Sequence, residues 1–253
     1  MNRRGWTITE MLVAIAVVAL LTGLLMPALS SARAVGRSTQ CQSNLRQISI
    51  ALQSYANLYD CFPTAIRYDN TGGVFKQIAW DWVSTPADGV ISPGPLWTFT
   101  NNPDRVMQCP AYFGHSNTAS DQFTGYNYNT TYVGGEAMSV VPGWDVVRRG
   151  VRPAQCRRAS TCAAFGCGGY AAGANKFMRA PLNSEQRPLS LIYSGGQAFR
   201  HLKMTHVAYL DGHVGIVQRP WEGELANTTL LNQNMRFPDN GFLSNDDSMY
   251  DPR

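Results

Sequence analysis

An apolar run near the N-terminus constrains this chain more than any other feature. Met11 to Leu29 contains a single polar side chain, Thr22. As a helix this run is about 28 Å long, which is close to the thickness of a bilayer core. A carboxylate, Glu10, stands at its edge. The sequence therefore predicts a segment that spans or nearly spans a membrane.

Two interpretations of this segment leave Glu10 without a role. In the first, the segment is a secretory signal peptide that begins with Arg3 and Arg4 and is cut near residues 28–30 or 32–34. In the second, it is a plain membrane anchor that is never cut. Neither interpretation explains why an acid precedes the apolar run.

A third interpretation gives the acid a purpose. The stretch from Arg3 to Glu10 reads "RRGWTITE" and resembles the type IV prepilin cleavage and methylation motif. The resemblance implies that a prepilin peptidase cuts after Gly5, that Trp6 becomes the N-methylated first residue, and that Glu10 is retained. The motif usually has phenylalanine where this chain has Trp6, and often leucine where it has Ile8.

The physical purpose of Glu10 would lie in assembly. A buried ammonium and a buried carboxylate each need a partner when helices bundle away from water. Glu10 of one subunit can pair with the free amino group of Trp6 on a neighbour and so fix the axial register. The alternative is a solvated acid at a helix start, where the helix dipole favours it.

Helical periodicity continues beyond the apolar run. Steps of three and four residues connect Leu45, Ile48, Leu52, Tyr55 and Tyr59, and Cys41 lies on the same face. The helix must end by Phe62, because Pro63 disfavours helical geometry in the residue before it. A helix from Trp6 to Tyr59 is about 80 Å long.

From Phe62 onward, short β-like runs alternate with turn residues. We predict an α+β fold in which a long, pilin-like N-terminal helix packs on an antiparallel β-sheet head. The predicted domains are a leader (1–5), a transmembrane or filament-core helix (6–29), its amphipathic continuation (30–60) and a globular extracytoplasmic head (61–253).

The clearest local signal in the head is "HVAYLDGHVGIV". It predicts a β-hairpin with a two-residue type I′ turn at Asp211 and Gly212. His201, nine further residues and this Asp-Gly pair resemble the H-X9-DG signature of the prepilin-like DUF1559 (SBP_bac_10) group. The same group's helix end resembles "CQSNLRQISIALQSYANLYDCFPTA", and its mid-chain Cys-Pro segment resembles "MQCPAY".

The chain has six cysteines. Behind an export-like N-terminus, an even number favours disulfides, with buried free thiols as the alternative. We predict a Cys41–Cys109 disulfide, because Cys41 faces the head and the turn-rich stretch around Cys109 must pass close to the helix. For Cys61 the sequence leaves Cys156 and Cys167 open as partners.

No metal or cofactor is expected from the sequence. No C-x2-C pair occurs, and a turn interrupts His201, His206, Asp211 and His213, so we assign them structural roles. Calcium in the C-terminal loops stays open, with Asp239, Asp246 and Asp247 as its ligands, although no EF-hand-like spacing supports it. Catalytic motifs are absent from the sequence, and no enzymatic activity is expected.

These features predict a pilin-like or pseudopilin-like subunit of a type II secretion or type IV pilus-like system. Its expected partners are the prepilin peptidase and methyltransferase, other pilin-like subunits and the bacterial inner membrane. The chain would cross that membrane once, with its head in the periplasm or on a surface filament. The formal net charge is +4, or +2 without Arg3 and Arg4, which leaves no patch-scale basic excess for nucleic acid. The alternative is a membrane-anchored extracytoplasmic binding module with the same leader.

Overall fold

The computed structural model describes residues 5–100, 106–114, 125–138, 150–171, 173–182, 195–224, 226, 228, 231–232 and 237–253. Residues 1–4, which include Arg3 and Arg4 of the predicted leader, lie outside this part. One long helix precedes a β-rich head. The predicted α+β class is confirmed.

The helix, α1 (Ile8–Tyr59), has 52 residues and continues through Pro27. It is therefore about 78 Å long. It ends at Tyr59, and the residue that caps it, Asp60, has a left-handed φ of 53°. Pro63 follows three residues after Asp60. This agrees with the end predicted from the proline.

The first sheet of the head comes mainly from the chain just after the helix. Its strands are β1 (Ile66–Asp69), β2 (Lys76–Ala79), β3 (Trp82–Thr85), β4 (Val90–Pro93) and β6 (Glu136–Met138). They lie in the order β4-β3-β2-β1-β6. The β1–β6 pair is parallel, and the other pairs are antiparallel.

The second sheet carries the helix. Its strands are β5 (Tyr126–Asn129), β7 (Ala163–Gly169), β8 (Phe177–Met178), β9 (Gly196–Ala198), β10 (Thr205–Tyr209), β11 (Val214–Val217) and β12 (Asn240–Gly241). Five lie in the order β11-β10-β7-β5-β8, while β9 pairs with β7 and β12 with β9. Only β5 and β8 pair in parallel among these described strands.

The second half of α1 packs against β10 and β7 and forms the main core with them. Leu45, Ile48 and Leu52 are fully buried there, as the periodicity predicts. The prediction is wrong for Tyr59, which is 55% exposed, whereas Ala56 in the same last turn is 2% exposed and belongs to the core.

A buried ion pair joins the two sheets. The Lys176 ammonium, just before β8, pairs with the carboxylate of Asp81, between β2 and β3. The Trp80 indole N–H donates to the Lys176 carbonyl at 3.3 Å. Because both charges are almost completely buried, loss of either partner would leave a costly unpaired charge.

Candidate functional site

The predicted cleavage point lies just ahead of the helix, outside any helix or strand. Gly5 has no neighbouring atoms within 4 Å of its would-be Cβ. Trp6 is 75% exposed, and α1 begins two residues later at Ile8. Cleavage after Gly5 and methylation of Trp6 stay predictions, but this geometry leaves the bond open to a peptidase.

Glu10 forms a capping box with Thr7 at the start of α1. The Thr7 backbone N–H donates to the Glu10 carboxylate at 2.8 Å, and the Glu10 N–H donates to Thr7 Oγ1 at 3.3 Å. The T-x-x-E spacing from Thr7 to Glu10 before an apolar run is the sequence signal for this cap. Glu10 therefore has a partner within its own chain, and its role between subunits stays a prediction.

The first half of α1 is apolar and uncovered. It is the one helix in the described part of the chain long and apolar enough to cross a membrane, and none of its most apolar stretch is buried in the head. Leu20 and Leu24 are 66% and 70% exposed. A signal sequence would pass the same test, but it would not need the buried continuation from Cys41 to Ala56.

Three cysteines and the histidine of the predicted signature meet where the helix joins the head. The group comprises Cys41, Cys109, Cys167 and His201, all buried, and their ligand atoms lie within 4.8 Å of one another. Cys41 Sγ is 3.5 Å from Cys167 Sγ, and Cys109 Sγ is 3.6 Å from His201 Nε2. We call these four residues the Cys3His cluster.

The pKa values of the three thiols in the Cys3His cluster are shifted in different directions. Burial raises the pKa of the Cys41 thiol well above its usual value. A hydrogen bond to Cys167 raises the pKa of Cys109 to about 12. Hydrogen bonds from Cys109 and Cys41 hold the pKa of Cys167 well below its usual value. Among the three thiols, Cys167 is therefore the one whose thiolate is favoured by the neighbouring hydrogen bonds.

The sequence predicted only part of the Cys3His cluster, namely that Cys41 and Cys109 lie close together. The prediction that the Cys109 stretch passes close to the helix is confirmed, since the Asn44 side chain also donates to the Gln108 carbonyl at 3.2 Å. The positions of Cys167 and His201 were missed. All six cysteines are free thiols in the structure. The Cys41–Cys109 disulfide stays a prediction.

The strand after His201 is attached to α1 at both ends. At one end His206 Nε2 lies 2.8 Å from Ser38 Oγ. At the other, the Gln53 side-chain amide donates to the Leu210 carbonyl. The segment that carries the signature thus holds the helix against the sheet along several turns.

The hairpin between β10 and β11 is confirmed, but its predicted turn type is wrong. A type I′ turn needs positive φ at both Asp211 and Gly212, and only Gly212 has it, with φ of 99°. The Gly212 N–H donates to the Tyr209 carbonyl at 3.0 Å, and the Tyr209 N–H donates to the His213 carbonyl at 2.9 Å. This is a three-residue loop with a glycine bulge. This loop places the Leu210 carbonyl where it accepts the hydrogen bond from the Gln53 side chain of α1.

The signature residues do not form one site. His201 lies before β10 in the Cys3His cluster, whereas Asp211 and Gly212 follow β10. The Asp211 carboxylate accepts from the His213 backbone N–H at 3.2 Å and contacts His213 Nδ1 at 2.6 Å. This confirms the structural role expected for Asp211 in the turn.

The acids considered for calcium have separate protein partners. Asp239 pairs with Lys203 at 2.5 Å. Asp246 caps a short helical turn by accepting from the Ser248 N–H at 3.0 Å. Asp247 accepts from the Leu182 N–H at 2.8 Å. A shared calcium site for these acids gains no support from their contacts.

The other cysteines lie outside the Cys3His cluster. Cys162 is buried just before β7, and its thiol donates to the Tyr250 carbonyl at 3.0 Å. Cys61 and Cys156 are partly exposed. Their segments adjoin, because the Phe62 N–H donates to the Val151 carbonyl at 2.9 Å.

Comparison with known proteins places the chain near one family. The family described as "Protein of unknown function (DUF1559)", SBP_bac_10, matches residues 30–88, which cover the amphipathic half of α1 and the first strands. The predicted resemblance to the DUF1559 group is confirmed over these residues. The match ends before His201, so the H-X9-DG signature stays a resemblance. No curated protein and no solved structure matches the chain.

Proposed function

From its resemblance to the DUF1559 family over residues 30–88, we propose that this chain is a pilin-like structural subunit. It would be made as a precursor, inserted once into the bacterial inner membrane, cut after Gly5 and assembled through α1. The machine would be a type II secretion or type IV pilus-like system. On this proposal the chain is structural rather than catalytic.

The division of α1 carries the proposal. Its first half is uncovered and apolar, while its second half is buried under the head. An apolar helix of this length is stable only in lipid or against other apolar helices. A pilin-like subunit uses both environments, first the membrane and then the filament core, and the head stays attached to the same helix throughout.

The motif around Gly5 supports the proposal independently of the helix. An anchor needs only the apolar run, whereas a prepilin also needs the glycine, the following hydrophobic residue and the acid. All three are present as Gly5, Trp6 and Glu10. The runner-up, an anchored extracytoplasmic binding module, would share this leader but not enter filaments.

Processing provides the direct test. Gly5→Val should block cleavage and leave a longer, membrane-bound precursor that does not assemble. Gly23→Val is the matched control, because both glycines have open space around them and only Gly5 precedes the predicted cut. Immunoblots of membrane fractions compare the two variants with the wild type. Normal maturation of Gly5→Val would contradict the proposal.

Assembly separates the proposal from the runner-up. Wild-type protein should be recovered in sheared or pelleted filaments together with other pilin-like subunits. A mature protein that never enters filaments, and whose head binds a small molecule instead, would favour the binding module.

A further inference from the structure

The strongest unassigned feature of the molecule is the Cys3His cluster at the junction of helix and head. We propose that Cys41, Cys109, Cys167 and His201 bind one Zn²⁺ ion tetrahedrally, and that this ion ties the head to α1. The proposal replaces our sequence-based expectation that no metal is bound. It is independent of which filament the chain enters.

The spacing of the ligand atoms fits a zinc tetrahedron. With Zn–S bonds of about 2.3 Å and a Zn–N bond of about 2.0 Å, tetrahedral geometry puts two sulfurs about 3.8 Å apart and a sulfur and a nitrogen about 3.5 Å apart. The observed Cys41–Cys167 and Cys109–His201 separations are 3.5 Å and 3.6 Å. Two edges of the tetrahedron are thus already close to their metal-bound lengths.

Four separate parts of the backbone hold the ligands in place. Cys41 is on α1, and Cys167 is on β7, where it pairs with Tyr126. Cys109 heads a turn in which the Tyr112 N–H donates to its carbonyl at 3.1 Å. The His201 N–H donates to the Met204 carbonyl at 3.1 Å, which closes a tight turn. Because these contacts are independent of the ligand atoms, the site is largely preformed.

The backbone around the Cys3His cluster adopts conformations that are unfavourable for most residue types. Gly125 has φ of 100°, and a Cβ there would lie 2.4 Å from the Cβ of Cys109. Only glycine allows β5 to begin so close to that cysteine. Leu202 and Lys203 both adopt positive φ, 55° and 65°, directly after His201. Such conformations are sparsely populated by non-glycine residues and cluster at functional sites.

The charges around the cluster suit an anionic metal centre. Three thiolates and a neutral histidine leave a net negative charge around Zn²⁺. The same would-be Cβ of Gly125 lies 3.3 Å from Arg200 Nη1, so this guanidinium adjoins Cys109. Arg200 Nη1 is buried without a hydrogen-bond partner among the described residues. The cation therefore offsets the surplus charge, and a dication would favour the thiolates on Cys41 and Cys109.

A Cys41–Cys109 disulfide would engage only two of the four side chains in the cluster. Joining Cys41 to Cys109 would leave the Cys167 thiol and His201 together in a site with no other use for them. In the cluster Cys41 Sγ lies 3.5 Å from Cys167 Sγ, and Cys109 Sγ lies 3.6 Å from His201 Nε2. A metal engages all four side chains at once, and Cys3His is an established ligand set for structural zinc.

Metal content tests the proposal. The full-length protein is purified from membranes in detergent, without chelator or reductant, and its metals are measured by elemental mass spectrometry. We expect about one zinc per chain. Cys167→Ser and His201→Ala should each lower the zinc content at least about tenfold. Cys156→Ser is the matched control, since this partly exposed cysteine is outside the cluster, and it should retain the metal.

A conservative variant keeps the test decisive if the buried substitutions prevent folding. His201→Cys supplies a fourth thiolate and should still bind zinc. Loaded with Co²⁺, the wild type should show the visible absorption of a tetrahedral thiolate site, and His201→Cys should shift it. Unchanged zinc content in Cys167→Ser and His201→Ala would overturn the proposal. Zinc-free protein with Cys41 joined to Cys109 or Cys167, identified by non-reducing peptide mapping, would also overturn it.

Discussion

At the scale of single residues, Glu10 has one partner within its own chain and would gain a second in the proposed filament. Within one chain its carboxylate accepts from the Thr7 backbone N–H and closes the capping box. In the proposed filament, the free amino group of Trp6 on a neighbouring subunit would compete for the same carboxylate. The capping box needs only a hydrogen-bond acceptor, whereas the pairing between subunits needs a charge.

Substitutions at Glu10 and Thr7 can separate the two roles. Glu10→Gln keeps the capping acceptor and removes the charge, so we expect normal processing and insertion but failed assembly. Glu10→Ala should behave in the same way. Thr7→Ala loses about 1 kcal/mol of helix capping and should still assemble. Recovery of each variant in filaments, in competition with the wild type, is the measurement. Wild-type assembly of Glu10→Gln would show that the charge is not used.

At the scale of elements, α1 is one helix whose two halves are stable for different reasons. The half from Cys41 to Ala56 is held by packing on β10 and β7. Its apolar period and the following Pro63 were enough to predict its face and its end. The exposure of Tyr59 was not predictable, because the period describes the helix but not how far the sheet beneath it extends.

Leu45 should be central to this packing. It is fully buried, whereas Leu58 on the same helix is 65% exposed. We expect Leu45→Ala to lower the free energy of unfolding of the head by about 2–5 kcal/mol, because it leaves a cavity. Leu58→Ala should change it by less than about 0.5 kcal/mol. Denaturant titration in detergent compares the variants, and equal effects would show that the helix does not pack on the sheet as described.

The hairpin and the Cys3His cluster mark the limit of prediction from sequence at this scale. The Asp-Gly pair predicted the hairpin correctly, because turn chemistry is local. The loop type depends on Leu210, whose backbone is also held by Gln53 of α1. The cluster draws on α1, β7, the Cys109 turn and the His201 turn. No local period relates such distant positions, so only the tertiary fold reveals that Cys167 and His201 join Cys41.

At the scale of the whole molecule, the chain has a covered head and an uncovered apolar helix. Burying that surface in lipid or among neighbouring helices is favourable at about 25 cal/mol per Å² of apolar area. An isolated subunit in water therefore could not persist in this form. This arrangement is compatible with the proposed pilin-like subunit, which would begin in a membrane and then enter an assembly with its head attached to α1.

The N-terminus of the mature protein tests this account most directly. Intact mass and N-terminal sequencing of protein purified from cells with the secretion or pilus machinery should show that the first five residues are lost. The chain should begin at Trp6 and carry one additional methyl group. A start at Ser31 or Val35 would identify a removed signal peptide, and an uncut chain that begins at Met1 would identify a plain anchor. Either result would contradict the account.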